Sequence, residues 1–82
     1  MYMHYVYILR DSNGKLYVGY SSNLKRRLKE HQYKTVATTK TYEEPRLVSY
    51  CAFVSKKEAL DFERYLKSGS GHAFMRKHLA QN

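Results

Sequence analysis

Two segments with apolar residues on both alternating faces, separated by a turn sequence, constrain the fold of this chain most strongly. Residues 3–10 contain Tyr, Val, Tyr, Ile and Leu, a composition typical of a strand that is buried on both sides. Residues 16–20 resume this pattern after an Asp-Ser-Asn-Gly turn sequence at residues 11–14. The sequence therefore predicts a β-hairpin whose first strand lies in the middle of a sheet.

The type of turn decides which side chains of the hairpin share a face. A two-residue loop pairs Tyr7 with Tyr20 and leaves Tyr17 on the opposite face. A three-residue loop, with a type I turn and Gly14 in the left-handed position, pairs Tyr7 with Gly19 instead. Asp at the first turn position and Gly at the fourth favour the second register, whereas the Asn-Gly pair keeps the first one open. In the favoured register Tyr7 and Tyr17 share a face, with open space at Gly19.

The next segment predicts a helix that turns basic side chains towards the sheet. Ser21 or Ser22 can cap this helix, which extends to about Gln32. Its inward face, set by the spacing i, i+3, i+4 and i+7, contains Leu24, Arg27, Leu28 and His31. Its solvent face contains Lys25, Arg26, Lys29 and Glu30. An unpaired guanidinium is costly to bury, so Arg27 either reaches solvent, pairs with an acid or serves a functional site.

The rest of the chain predicts a loop and three further elements. Residues 32–45 show no clear periodicity and predict the loop, in which Lys40 is a candidate phosphate contact. The further elements are a strand at residues 46–54, a helix from the Ser-Lys-Lys-Glu capping box at residues 55–58 to about Lys67, and a last helix at residues 72–79. The Ser-Gly-Ser-Gly sequence at residues 68–71 is expected to end the second helix.

Glu63 is the sharpest local anomaly of the second helix. The apolar stripe of Ala59, Phe62 and Leu66 includes Glu63 at the i+4 position from Ala59. An ionised carboxylate that points inward must be paired, hydrogen-bonded or bound to a cation. Two partners are open from spacing alone: Arg27, in a structural ion pair, and a divalent metal ion, in a catalytic site.

Charge and composition indicate a nucleic-acid partner. The chain of 82 residues carries 15 Lys and Arg against 7 Asp and Glu, a net charge of +8. In one small domain, residues 1–82, this charge creates a positive surface field. Neither a lipidation motif, a strongly amphipathic basic helix nor a bilayer-spanning run is found, so a membrane partner is disfavoured. The lone Cys51 excludes an internal disulfide and, without a secretory signal sequence, predicts a reduced, cytoplasmic setting.

These residues, in this order, resemble the GIY-YIG nuclease domain, including its small stand-alone bacterial members and the N-terminal catalytic domain of the excinuclease of DNA repair. Tyr-Val-Tyr at residues 5–7 stands where the family has Gly-Ile-Tyr, and Tyr-Val-Gly at residues 17–19 stands where it has Tyr-Ile-Gly. Arg27 matches the arginine of the family's helix, His31 matches a position that is often His or Tyr, and Glu63 matches the metal-binding glutamate. The resemblance covers nearly the whole chain.

The resemblance implies a fold and a reaction. The implied fold is α/β (α+β), with a small three-stranded mixed or antiparallel sheet in β-β-α-β-α-α order and helices on both faces. The implied reaction is metal-dependent phosphodiester hydrolysis in DNA, in repair or recombination. Glu63 would be the main protein ligand of Mg²⁺ or Mn²⁺, and Arg27 would hold the scissile phosphate. Tyr7 is the leading candidate for activating water, Tyr17 its partner, and His31 the competing base. We expect the two phenols, the guanidinium and the carboxylate to converge in one cleft.

Two features of the sequence leave alternatives open. Tyr5 replaces the first glycine of the family motif, and Met75 falls near the place of the family's usual asparagine. One alternative is therefore a non-catalytic nucleic-acid-binding module, in which the sheet tyrosines stack on bases and the basic surface follows the backbone. Another is a fragment that recruits a partner in a repair system. No sequence-reading module is found, so selectivity must come from DNA shape, a protein partner or a homodimer. The predicted nucleic-acid contacts are Lys25, Arg26, Lys29 and Lys40.

Overall fold

The apolar first strand of the hairpin lies in the middle of a three-stranded antiparallel sheet of order β2-β1-β3. The computed structural model describes residues 2–33 and 41–80. Its elements are β1 (His4–Arg10), β2 (Leu16–Ser21), α1 (Leu24–Gln32), β3 (Arg46–Phe53), α2 (Lys56–Leu66), α3 (Gly69–Phe74) and a π-helical turn (Met75–Leu79). The predicted order of strands and helices and the central position of β1 are confirmed.

The hairpin adopts the register that places both tyrosines of interest on one face. Tyr7 lies opposite Gly19, and Leu9 lies opposite Tyr17. Gly14 has a φ of 86°, a left-handed conformation that residues other than glycine rarely adopt. The three-residue loop with its type I turn is therefore confirmed.

The side chain of Asp11 fixes this turn and ties it to the segment before β3. Its carboxylate accepts hydrogen bonds from the backbone N–H groups of Asn13 at 3.0 Å, Lys15 at 2.8 Å and Glu43 at 3.2 Å. Burial alone would raise the pKa of Asp11, but these three donors outweigh it and hold the pKa below its ordinary value. The carboxylate thus remains charged and joins the hairpin to the loop across the sheet.

The two faces of the sheet are covered by different helices. The core lies on one face and contains Val6, Ile8, Val18, Ala59, Leu66, Met75 and Ala80. Side chains from α2 and the C-terminal helical segment supply the covering half of this core. The other face carries Tyr7, Leu9 and Tyr17, and α1 covers it through His31. Helices on both faces are therefore confirmed, and no helix of the described residues has the length and apolar run needed to cross a bilayer.

Side-chain caps begin both long helices. Asn23 caps α1, because its side chain accepts a hydrogen bond from the N–H of Arg26 at 3.0 Å. The prediction of Ser21 or Ser22 as the cap is wrong: Ser21 instead holds the backbone of Asn23, through its N–H at 2.9 Å and its C=O at 3.0 Å. Ser55 caps α2 by accepting from the N–H of Glu58 at 3.2 Å, as its sequence signature predicts.

The glycine-rich segment after α2 differs from its prediction. Ser68 caps a new helix, and Gly69 to Gly71 form the first turn of α3. Gly71 is buried there, and a Cβ atom at this position would lie 1.7 Å from the carbonyl oxygen of Tyr65. The glycine therefore allows the α3 backbone to touch the last turn of α2, with only Lys67 and Ser68 between the two helices.

Gly71→Ala should destabilise the protein by about 1–3 kcal/mol or more, because a rigid backbone must move to admit the methyl group. Gly69→Ala is the matched control, since a Cβ atom there meets nothing within 4 Å. We expect that control to change the free energy of unfolding by at most about 1 kcal/mol, in the stabilising direction. Urea denaturation of both variants tests this, and equal stability of the two variants would contradict the packing role of Gly71.

Candidate functional site

A buried hydrogen bond between Tyr7 and His31 is the centre of the face that α1 covers. The Tyr7 hydroxyl lies 2.7 Å from Nε2 of His31. The relative exposures of the two residues are 0% and 1%. The sequence places Tyr7 on β1 and His31 in the last turn of α1, so this contact joins two elements that are 24 residues apart.

Gly19 makes room for this contact. A Cβ atom at Gly19 would lie 2.5 Å from both Cζ and the hydroxyl oxygen of Tyr7 and 2.8 Å from Cε2 of Tyr17. The open space expected at Gly19 is therefore filled by the two phenol rings. The absence of a side chain at Gly19 lets them approach each other at the level of β2.

Tyr17 completes an aromatic cluster around the hydrogen bond. Its ring centroid lies 6.1 Å from that of Tyr7, 5.1 Å from that of His31 and 6.2 Å from that of Tyr42. Tyr17 also lines a cavity of about 300 Å³ at the edge of the sheet. Of the two predicted catalytic tyrosines, Tyr17 is thus the one that faces a space a ligand can enter.

Tyr42 is a member of this cluster that the sequence analysis missed. It stands edge-on to Tyr17, its hydroxyl donates to the carbonyl oxygen of Leu16 at 3.3 Å, and the ammonium of Lys15 lies 4.6 Å from its ring centroid. Burial, and then the charge of Asp11, raise its pKa. Tyr42 lies in a predicted loop without periodicity, so only its aromatic side chain could have indicated a place in the cluster.

Arg27 lies beside the phenols and is partly exposed. Its Nη1 donates to Oε1 of Glu30 at 3.0 Å, and this bond is the main cause of a raised Arg27 pKa. The guanidinium also interacts with Tyr7. Its Nε is buried and lacks a hydrogen-bond partner among the described residues. Such a buried, unpaired donor costs free energy, which a ligand or a local rearrangement could recover.

Glu63 lies apart from the tyrosine cluster. Its side chain is 20% exposed, and its Oε2 lies 3.2 Å from Nζ of Lys67. Of the two partners left open for Glu63, Arg27 is not the one observed, because the two helices lie on opposite faces of the sheet and each residue has a partner one turn away on its own helix. The carboxylate is therefore held by its own helix.

The expected single cleft is consequently divided by the sheet. Tyr7, Tyr17, Arg27 and His31 belong to the face under α1, whereas Glu63 belongs to α2 on the core face. The two sides meet at the exposed edge strand β2, where the cavity of about 300 Å³ is lined by Tyr17 and by Lys67, the partner of Glu63. A ligand that engages both groups has to lie across this edge.

The electrostatics of the cluster bear on the choice of base. Burial, with a further contribution from Tyr17, raises the pKa of Tyr7, and Arg27 opposes this rise without cancelling it. Burial, and then the charge of Arg27, lower the pKa of His31, which Glu30 partly opposes. At neutral pH the cluster therefore contains a protonated Tyr7 and a neutral His31. The phenolate expected of Tyr7 is disfavoured, because its burial outweighs the nearby cation.

The predicted phosphate contacts on α1 are exposed, as expected from their spacing. Lys25, Arg26 and Lys29 lie on the solvent side of the helix. Arg26 also lies 3.8 Å from the carboxylate of Glu30. Lys40 lies outside the described residues. Met75, near the expected place of the family's asparagine, is buried in the core and contributes no polar group.

The donor chemistry fits a metal ion only in a largely hydrated form. Within residues 2–33 and 41–80, no group of three or more His, Cys, Asp or Glu residues could hold a metal ion. Mg²⁺ keeps several water ligands and is often bound by one or two carboxylates, so Glu63 alone fits this ion. The ammonium of Lys67 has to move away from Glu63 for such binding.

The chain is similar to a known domain family and to several known proteins. Residues 3–78 match the family model of the GIY-YIG catalytic domain. UPF0213 protein BH0048 of Halalkalibacterium halodurans is 42% identical over 65 residues, which cover 78% of this chain and 69% of that protein. A UPF0213 protein of Staphylococcus haemolyticus is 38% identical over 71 residues, which cover 85% of this chain and 87% of that protein. The solution NMR structure of the UPF0213 protein BH0048 from Bacillus halodurans has a TM-score of 0.56 and 37% identity, and covers 89% of this chain and 81% of that one.

His31 should make stability depend on pH. Its pKa is lower in the folded than in the unfolded protein, so the unfolded chain binds more protons as the pH falls through and below about 6.5. The stability that neutral His31 contributes is then lost as the pH falls towards its folded-state pKa. His31→Gln should therefore lose less stability between pH 7 and pH 5 than the wild type, measured by urea midpoints.

The matched control for this measurement is His78→Gln, whose side chain is exposed. We expect this variant to keep the wild-type pH dependence. A His31→Gln variant with the same pH dependence as the wild type would contradict the burial of a neutral imidazole at this site.

Proposed function

Because the chain belongs to the GIY-YIG catalytic domain family, we propose that it is an endonuclease that hydrolyses phosphodiester bonds in DNA. The observation that carries this proposal is the cluster of two phenols, an imidazole and a guanidinium, in which the two phenol rings fill the space left by Gly19. A fully buried tyrosine bonded to a buried histidine adds little stability to a core, compared with apolar residues of similar volume. The net charge of +8 supports a polyanionic substrate.

Tyr17 contacts the attacking water in this proposal. It lines the cavity at the β2 edge, whereas Tyr7 is fully buried and His31, which is 1% exposed, lines a separate cavity of about 530 Å³. The Tyr17 and Tyr7 hydroxyls interact, and Tyr7 reaches His31 Nε2 at 2.7 Å. A proton from the water can thus pass through the two hydroxyls to the neutral imidazole, while the water oxygen bonds to phosphorus and the bond to the leaving oxygen breaks. No tyrosinate has to accumulate along this route.

Arg27 holds the phosphate. Its guanidinium is partly exposed, is adjacent to Tyr7 and carries an unpaired Nε. The planar fork of a guanidinium matches two phosphate oxygens, which a lysine ammonium does not. Lys25, Arg26 and Lys29 extend this positive surface along α1 and would follow the nucleic-acid backbone.

Glu63 would hold the divalent ion, Mg²⁺ or Mn²⁺, after release from Lys67. When bound, such an ion stabilises charge on the phosphate and on the leaving oxygen. The shared cavity of Tyr17 and Lys67 supports an active site that crosses the β2 edge.

We further propose that the protein acts in the cytoplasm in repair or recombination, and that a protein partner or a homodimer contributes to substrate choice.

A second candidate function is a non-catalytic nucleic-acid-binding module. The Glu63–Lys67 ion pair and the separation of Glu63 from Tyr7 by the sheet favour it. Such a module needs the basic surface and exposed aromatic rings but neither the Glu63 carboxylate nor a metal ion. The two functions differ in what they require of Glu63.

Glu63→Gln should abolish metal-dependent cleavage while leaving nucleic-acid binding within about twofold, because it removes a ligand charge and preserves the shape of the side chain. The test incubates the protein with supercoiled, nicked, branched and single-stranded DNA in Mg²⁺, Mn²⁺ or chelator. Glu58→Gln, an exposed glutamate on the same helix, is the control and should cleave like the wild type. Binding without cleavage in every condition would support the second function.

Tyr17→Phe should lower the single-turnover cleavage rate by at least about 100-fold, the lower range of general acid–base effects, with little change in DNA affinity. Tyr33→Phe removes the hydroxyl of an exposed tyrosine and should not change the rate. If Tyr17→Phe cleaves at the wild-type rate, the water contact belongs to another residue.

A further inference from the structure

A second cavity lies on the face of the sheet that α1 covers, beside the tyrosine cluster. It has a volume of about 410 Å³ and is lined by Tyr5, Tyr50, Leu24, Leu28 and Lys25, among others. This volume is within the range of about 300–1,000 Å³ typical of small-ligand sites. The candidate active site uses none of these five residues as a catalytic group.

The position of Tyr50 connects this cavity to the tyrosine cluster. Tyr50 is the residue of β3 directly opposite Tyr7 on β1, so the two side chains project from the same face of the sheet. Tyr7 is fully buried under α1, so of this pair only Tyr50 is available to a ligand. The cavity therefore adjoins the tyrosine cluster through this strand pair, while its own lining comes from β1, β3 and the segment that leads into α1.

An exposed aromatic surface lines this cavity. Tyr50 is 54% exposed, an unusually high value for a large ring in the middle of a strand. Tyr5 stands beside it, with ring centroids 6.1 Å apart and planes inclined at 61°. Tyr5 is also the residue that replaces a glycine of the family motif, so this chain has an aromatic side chain where the motif has none. An exposed ring edged by a second ring offers a flat surface for another planar group.

The charge around the cavity restricts what that planar group can be. Lys25 lines the cavity directly, Lys29 and Arg26 are exposed on the same helix, and the first turn of α1 contains no acidic residue. A planar apolar face next to exposed cations matches a nucleobase attached to a phosphate. In a double helix both faces of a base are already stacked, so only an unpaired base can present its face to a tyrosine.

We propose that this cavity binds one unpaired nucleobase of a nucleic-acid chain, stacked on Tyr50, with Lys25 contacting its phosphate. The inference rests on the proposed function for the identity of the ligand as nucleic acid, and it names the substrate class: DNA with a single-stranded segment. Since every base has an aromatic face, the site selects unpaired structure and not sequence.

The test measures DNA binding by fluorescence anisotropy, with Glu63→Gln in the background so that binding is read without cleavage. The probes are a blunt duplex, the same duplex with a single-stranded overhang, and that overhang with abasic sites. Tyr50→Leu should weaken binding of the overhang by about tenfold, within the range measured for single base–aromatic stacks, and should leave blunt-duplex binding unchanged. Tyr50→Phe keeps the ring and should retain wild-type affinity.

The abasic overhang and a second aromatic residue supply the controls. In the protein that keeps Tyr50, the overhang with abasic sites should bind weakly. Its affinity should match that of the normal overhang for Tyr50→Leu. Tyr65→Leu removes a ring of similar exposure from α2, on the other side of the sheet, and should have no effect on any probe. Equal losses on blunt and overhang probes, or a loss in Tyr50→Phe as large as in Tyr50→Leu, would overturn base stacking.

Failure of this inference differs from failure of the nuclease proposal. Cleavage that requires Glu63 but is indifferent to Tyr50→Leu on every substrate refutes the base site and retains the nuclease. A tenfold loss of overhang binding in Tyr50→Leu, in a protein that never cleaves, retains the base site and refutes the nuclease.

Discussion

The hydrogen bond between Tyr7 and His31 is the interaction on which the rest of this face depends. It links the central strand to the last turn of α1 at 2.7 Å, in a place that water does not reach. A buried polar pair is costly unless both members are satisfied, so loss of either partner leaves the other unpaired. Gly19 permits the pair, because any side chain there would overlap the phenol. One hydrogen bond and one missing methyl group thus set the geometry of the candidate site.

The sheet itself separates two chemical environments. On one face, buried phenols, an imidazole and a guanidinium contact one another, with the His31 pKa lowered and the Tyr7 pKa raised. On the other, the Glu63 carboxylate is paired with Lys67 next to an apolar core. The cavity that Tyr17 and Lys67 both line lies at β2, one of the two edge strands of the sheet. In the proposed function, a ligand assembles the active site across this edge, and the Glu63–Lys67 ion pair opposes that assembly.

Three tyrosines on this face of the sheet have three different environments. A strand that contributes side chains to a core on one side has alternate residues free for a second purpose on the other. On this second side, Tyr7 bonds to His31 of α1, Tyr17 lines the edge cavity, and Tyr50 has an exposed ring. With the basic side of α1 next to them, the accessible rings of Tyr17 and Tyr50 are suited to a flexible, negatively charged and aromatic polymer.

The sequence by itself determined the local structure and which side chains lie on the tyrosine-bearing face of the sheet. Apolar residues on both faces defined the strands, the Asp and Gly of the turn favoured the observed register over the one that Asn-Gly left open, and helical spacing brought Arg27 and His31 towards the sheet. It did not determine how distant elements meet. The partners of Glu63, the aromatic contact of Tyr42 and the helix that begins at Gly69 were all missed or wrong. The physical reason is that periodicity records which side of its own element a residue occupies, whereas an ion pair or a ring contact depends on which face of the sheet each helix covers. Only the tertiary structure decides that.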